Sequence, residues 1–127
     1  MAFSVNLRDQ HSFPTFASCP DENGLNLGYF GSEDGFLYRP RRHWCLLAEI
    51  TDVLFFFRLR LSVRDKAGRE FPVHFYLDDN EQVDLRQFRV GSTIAVLYPQ
   101  QHFFLDMTVG LRLESMKIVQ VSTAMSI

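Results

Sequence analysis

Leu54-Phe55-Phe56-Phe57-Arg58-Leu59-Arg60-Leu61-Ser62-Val63-Arg64 alternates apolar and polar side chains from Phe57 to Val63. A period of two is that of a β-strand with one face in a core and the other in water. It places Phe57, Leu59, Leu61 and Val63 inward, and Phe56, Arg58, Arg60, Ser62 and Arg64 outward.

The flanking sequence supplies partners for this strand. Downstream, Asp65-Lys66-Ala67-Gly68-Arg69 offers glycine where a tight turn needs positive φ, so the next run is joined to it as a hairpin. That run, residues 70–77, alternates again, with Phe71, Val73, Phe75 and Leu77 on one face and Pro72, His74 and Tyr76 on the other. Pro72 has no N–H to donate, which assigns it to the start of the strand or to an edge. Upstream, residues 44–50 form the first strand, and Thr51-Asp52 a short turn into the central one.

Beyond residue 77, Asp78-Asp79-Asn80-Glu81 breaks the pattern, and residues 83–88 can form a short helix with Val83, Leu85 and Phe88 as apolar contacts. Gly91 turns the chain into a fourth strand, 93–98. A polar and aromatic loop, 99–107, leads to a fifth, 108–114, with 117–121 as its continuation or bent extension. The order strand–strand–strand–short helix–strand–strand is that of an all-β, five-stranded OB-fold-like barrel (β-β-β-α-β-β). Closing the five strands removes the edges that so hydrophobic a sheet would otherwise expose.

The expected organisation is an irregular aromatic and acidic arm at 1–40, the barrel at 41–121 and a frayed tail at 122–127. The arm is rich in Ser, Pro, Gly, Asn and Asp, yet it holds Phe3, Phe13, Phe16, Tyr29, Phe30, Phe36 and Tyr38. Disordered segments are aromatic-poor, so the arm is expected to pack on the domain or on a partner. The 127 residues, 46% hydrophobic with 13 Phe, suffice for one core.

Composition narrows the chemistry. The longest apolar run is far too short to span a bilayer, and the first residues lack a basic segment followed by an apolar one, so an intracellular protein with no membrane partner is expected. Cys19 and Cys45 read as two free thiols. With no Cys-x-x-Cys and His11, His43, His74 and His102 scattered, neither a metal site nor a cofactor is expected. The net charge of −2 argues against a protein held on duplex nucleic acid mainly by phosphate contacts. Its distribution is uneven: −4 over residues 1–38, +4 over 39–76 and −2 over 77–127.

Four sequence words, Arg-Arg-His-Trp-Cys-Leu-Leu-Ala-Glu-Ile (41–50), Phe-Tyr-Leu-Asp (75–78), Gly-Ser-Thr-Ile-Ala-Val-Leu-Tyr (91–98) and His-Phe-Phe-Leu-Asp-Met-Thr-Val-Gly-Leu-Arg (102–112), carry a family likeness. Over about residues 38–121 the chain resembles the N-terminal region of a group of fungal, chiefly basidiomycete, proteins. Many of those carry a MYND-type zinc finger further along. The resemblance implies a fungal origin and a role in protein–protein association. No Cys/His cluster follows here, so zinc binding is not carried over.

Three classes of function follow. The leading expectation is a non-enzymatic binding or protein-interaction module, with a protein partner or self-association through Phe103, Phe104 and the arm, the other reading of that apolar loop being that its rings tuck under the barrel's open end. The second is single-stranded nucleic-acid binding on the outer face of strands two and three, where Phe56, Arg58, Arg60, Arg64, His74 and Tyr76 gather. Aromatic rings stack on bases and Arg follows phosphates. Against this stands the reading of Arg58, Arg60 and Arg64 as a solvated strand face with cross-strand partners such as Glu49. The third is a small-molecule site or enzyme at the barrel end, with His102 and Asp106 as base and orienter beside Tyr98. No Ser or Cys nucleophile accompanies them at a recognisable spacing, so no catalytic residue is assigned. Before strand one, Arg39, Arg41, Arg42 and His43 form a basic cluster, expected to be neutralised by Asp21, Glu22, Glu33 and Asp34 of the arm.

Overall fold

The computed structural model describes residues 6–122. Its strands are β1 (Phe30–Gly31), β2 (Arg39–Pro40), β3 (Cys45–Phe56), β4 (Arg58–Asp65), β5 (Glu70–Phe75), β6 (Thr93–Leu97), β7 (His102–Phe103), β8 (Val109–Leu113) and β9 (Val119–Ser122). Among the described residues, helix is confined to three single 3-10 turns. The expected tail lies outside the described residues except for Ser122, which ends β9, and so does Phe3.

β1 and β2 form a small ribbon, and the rest a row in the order β7-β8-β5-β4-β3-β6-β9. Every pairing in that row is antiparallel except β5 with β8. Counted as β3, β4, β5, β6 and the bent β8–β9, the main strands neighbour one another as five–three–two–one–four, with three and five parallel. This is the OB-fold, a partly open barrel of five strands.

One expectation about the barrel is corrected. The row does not close. The fifth strand is interrupted at residues 114–118, where the Glu81 carboxylate accepts hydrogen bonds from Ser115 Oγ (3.0 Å) and Met116 N (3.2 Å). The chain turns there from its partner β5 to its partner β6, so no single strand spans both.

The turn expected at Thr51-Asp52 is instead a β-bulge. Ile50 lies opposite Val63 and Asp52 opposite Ser62, leaving Thr51 as the extra residue. Its hydroxyl donates to the Ser62 carbonyl. A bulge bends and twists a strand. The near half of β3 therefore pairs with β6 as well as β4, while its far half pairs with β4 alone.

The chain reverses at Phe57, with φ of 63° and 88% of the residue exposed. Phe57 is thus not a core residue: the period-two pattern ran straight through a one-residue reversal. Leu59, Leu61 and Val63 do face inward, and all are buried. The Gly68 turn forms as expected, with φ of 86°, and Phe71, Val73 and Phe75 of β5 are buried. The helix expected at 83–88 is one turn, Leu85–Gln87. Asp84 caps it from the Arg86 amide and also holds the Arg86 guanidinium, a local grip that does not propagate a helix.

The core joins Leu46, Ala48 and Ile50 to Ile94, Val96, Leu111 and Leu113. Phe16 and Cys19, from the stretch expected as an arm, lie in the same core. Asp65, 5% exposed, holds them there by accepting from Phe16 N (2.9 Å) while also gathering the amides of Ala67 and Arg69. Gln101 Nε2 donates to the carbonyls of Phe16 and Cys19. Trp44 is buried under Tyr29, Phe30 and Tyr98, its Nε1 donating to the Pro99 carbonyl.

Candidate nucleic-acid interface

Alternation along β4 and β5 sends Arg58, Arg60, His74 and Tyr76 to the face away from the core. Register aligns them, with Arg60 opposite His74 on β4–β5 and His74 opposite Arg112 on β5–β8. Tyr76, one residue past β5, is pinned by its amide to the Leu113 carbonyl at 2.8 Å. Its ring is flanked by two guanidinium groups: Arg58 Cζ is 4.2 Å from the centroid and Arg112 Cζ is 4.3 Å away. Arg112 was not singled out from the sequence, although burial of Leu111 and Leu113 forces it outward by alternation.

Towards the β3–β4 tip the face continues into Leu54 and Phe56. These enclose a groove of ≈ 530 Å³ with Arg58, Arg60, His74 and Tyr76. Phe56 and Phe57 meet edge to face at 4.7 Å. Among the described residues, Arg58 and Arg60 have no carboxylate within ion-pair distance. Arg64 differs: it pairs with Glu49 at 3.2 Å and approaches Glu70 at 4.0 Å, so it belongs to a solvated cross-strand ladder. Arg112 pairs with Glu114 at 3.3 Å.

At the other end, β7 and β8 make a hairpin whose turn carries Leu105 and Met107 into solvent. Phe103 is half exposed. Phe104 is 7% exposed, tucked between the rings of His74 (4.2 Å) and His102 (4.5 Å), and is packing rather than an anchor. Burial, reinforced by the charge of Arg60, lowers the His74 pKa, and its Nε2 has no hydrogen-bond partner among the described residues. Hydrogen bonds from the Thr108 hydroxyl and amide lower the Asp106 pKa.

The pairing of His102 with Asp106 does not form. His102 pairs with Glu22, and Asp106 accepts from Thr108. Nor do the arm's carboxylates form ion pairs with the basic cluster, although Glu33 and Asp34 line one groove with Arg39 and Arg41. Arg41 donates to the Leu27 carbonyl, Arg42 meets His11 Nδ1 and lies 5.8 Å from the Tyr29 ring centroid, and His43 bonds the Tyr98 hydroxyl. Asp34 is spent on its own turn.

No protein-family model and no curated protein matches the chain. Solved structures with some likeness include the S. pombe Stn1-ten1 complex, 21% identical, covering 76% of this chain and 68% of that one at a TM-score of 0.47. Schizosaccharomyces pombe Pot1pC bound to ssDNA is 7% identical, with 66% and 79% covered and a TM-score of 0.47. A replication protein A heterotrimer bound to ssDNA is 12% identical, with 69% and 62% covered and a TM-score of 0.43.

Proposed function

We propose that the chain is a binding module whose β4–β5 face holds a single strand of nucleic acid. The observation that carries this reading is the line of Phe56, Arg58, Tyr76 and Arg112. Two guanidinium groups over an aromatic ring stand beside an exposed phenylalanine, and among the described residues neither Arg58 nor Arg60 has a carboxylate within ion-pair distance. A guanidinium held over a ring has already lost part of its freedom, so it can stack on a base or meet a phosphate at less further entropic cost. Exposed rings add about 1–3 kcal/mol per stacked base. A groove open along the sheet suits an unpaired strand, whose bases are free to turn toward it, better than a duplex.

The test is an anisotropy titration of the full chain with labelled single-stranded DNA and RNA at two salt concentrations, with duplex DNA as control. Saturable binding that weakens with salt is expected, and Arg58→Ala or Arg60→Ala should reduce the salt slope by about one each. Equal affinity for duplex, or an affinity untouched by both substitutions, would remove the reading.

A further inference from the structure

The β3–β4 tip has a second side. Phe55 lines a second groove of ≈ 460 Å³, which shares Phe57, Arg58 and Leu59 with the first and is floored by Leu77 and Val83 with Leu85 at its margin. Its acidic rim is formed by Asp78 and Asp79, with the Glu81 carboxylate set deeper beneath them. The one cation on its lining is Arg58, whose guanidinium is engaged over Tyr76 on the opposite side of the tip. Glu81 has spent Oε1 on Ser115 and Met116, and its Oε2 is without a hydrogen-bond partner among the described residues.

From this arrangement we infer that the groove receives a peptide segment of another protein, with large apolar side chains interleaved with Lys or Arg. The apolar floor and the carboxylate rim set that chemistry, while the same carboxylates repel a nucleic-acid backbone. Phe57 points the same way. Its left-handed backbone is one that a bulky side chain adopts at a cost and glycine does not. Its ring is exposed, so the fold gains little burial from it. A strained, solvent-facing aromatic at the mouth of a groove is the kind of feature that binding, rather than folding, retains. The inference does not depend on the nucleic-acid reading.

Two labelled peptides test it on the full chain: one alternating leucine with arginine, the other leucine with glutamate, each at about 0.15 M salt. Saturable binding of the arginine peptide alone is expected. Phe57→Gly, and separately Asp78→Lys combined with Asp79→Lys, should each weaken it about tenfold or more. Phe57→Gly should leave the thermal midpoint unchanged or raised, which separates docking from a structural role, and Arg60→Ala should leave peptide affinity as it was. Failure of the arginine peptide to bind, equal binding of both peptides, or full affinity in Phe57→Gly would overturn the inference. So would concentration-dependent dimerisation that Phe57→Gly abolishes in sedimentation, because the occupant would then be a second copy.

Discussion

The ring of Phe16 lies flat on that of Phe71, with centroids 4.0 Å apart and planes 9° from parallel. Phe16 is fully buried, and Arg69 Cζ sits 5.0 Å from its centroid. The N-terminal stretch therefore fills the core from outside the main strands. Phe16→Ala should cost about 3–5 kcal/mol by loss of transfer energy and creation of a cavity. Removing residues 1–38 should leave a chain that melts without a cooperative transition. Urea unfolding followed by tryptophan fluorescence would show both, because Trp44 is buried under Tyr29 and Phe30 of the same stretch.

Gly110 lets β8 lie against β5. A Cβ there would stand 2.8 Å from Pro72 Cγ, 3.0 Å from Cδ and closer still to the Pro72 carbonyl oxygen, so backbone as well as ring would have to move. Gly110→Ala should destabilise by about 1–3 kcal/mol, the usual range for forcing extra atoms into a packed site. Gly24→Ala, with open space around its site, is the control. Equal denaturation midpoints for the two variants would contradict the close approach.

Strand alternation and turn chemistry made β4, β5 and the Gly68 hairpin legible, because both depend on neighbouring residues only. The same local reasoning failed at Phe57. A one-residue reversal preserves the apolar-polar rhythm while ending the strand, so an exposed tip looked like core. It failed at Thr51 for the converse reason: a bulge adds one residue to an unbroken strand, and the resulting slip imitates a turn. Glu49 was named as a cross-strand partner of the arginines and pairs with Arg64, yet the turn that sets this register lies at Phe57 and not at Thr51-Asp52. The placement of Arg112 beside Tyr76 depends on a parallel pairing between strands more than thirty residues apart, about which local pattern is silent. The aromatic content of the first forty residues pointed to packing on the domain, but nothing near Phe16 in the chain singles it out as the ring that enters the core.

Burial pushes the Cys19 thiol up to about 12, helped by the nearby charge of Asp65, and it also raises that of Cys45, which is less enclosed. The thiolate is the reacting species in alkylation. Native protein treated with iodoacetamide near neutral pH should modify Cys45 slowly and Cys19 more slowly still, with both becoming fast in denaturant. Mass spectrometry of the digested protein distinguishes the two sites. Rapid native labelling of Cys19 would mean that the Phe16 segment opens readily.

If the β4–β5 face binds a single strand, His74 should tie stability and binding to pH with opposite signs. Desolvation first, then Arg60 on β4 and more weakly His102, lower its pKa below the ordinary 6.5, while Asp106 opposes them. A lowered pKa means that the unfolded chain takes up the proton before the folded one does. The contribution to stability is therefore complete above about 6.5 and is lost as pH falls below it. A phosphate laid along Arg58 and Arg60 would favour the protonated ring, so binding would take up a proton and tighten as pH falls, by less than about tenfold per unit for a single site. Denaturation midpoints and single-strand affinities measured from about pH 8 to about pH 5 should thus move in opposite directions in the native protein. In His74→Gln both slopes should flatten. An affinity that ignores pH while stability falls would place the strand away from His74, toward the Phe56 end of the face.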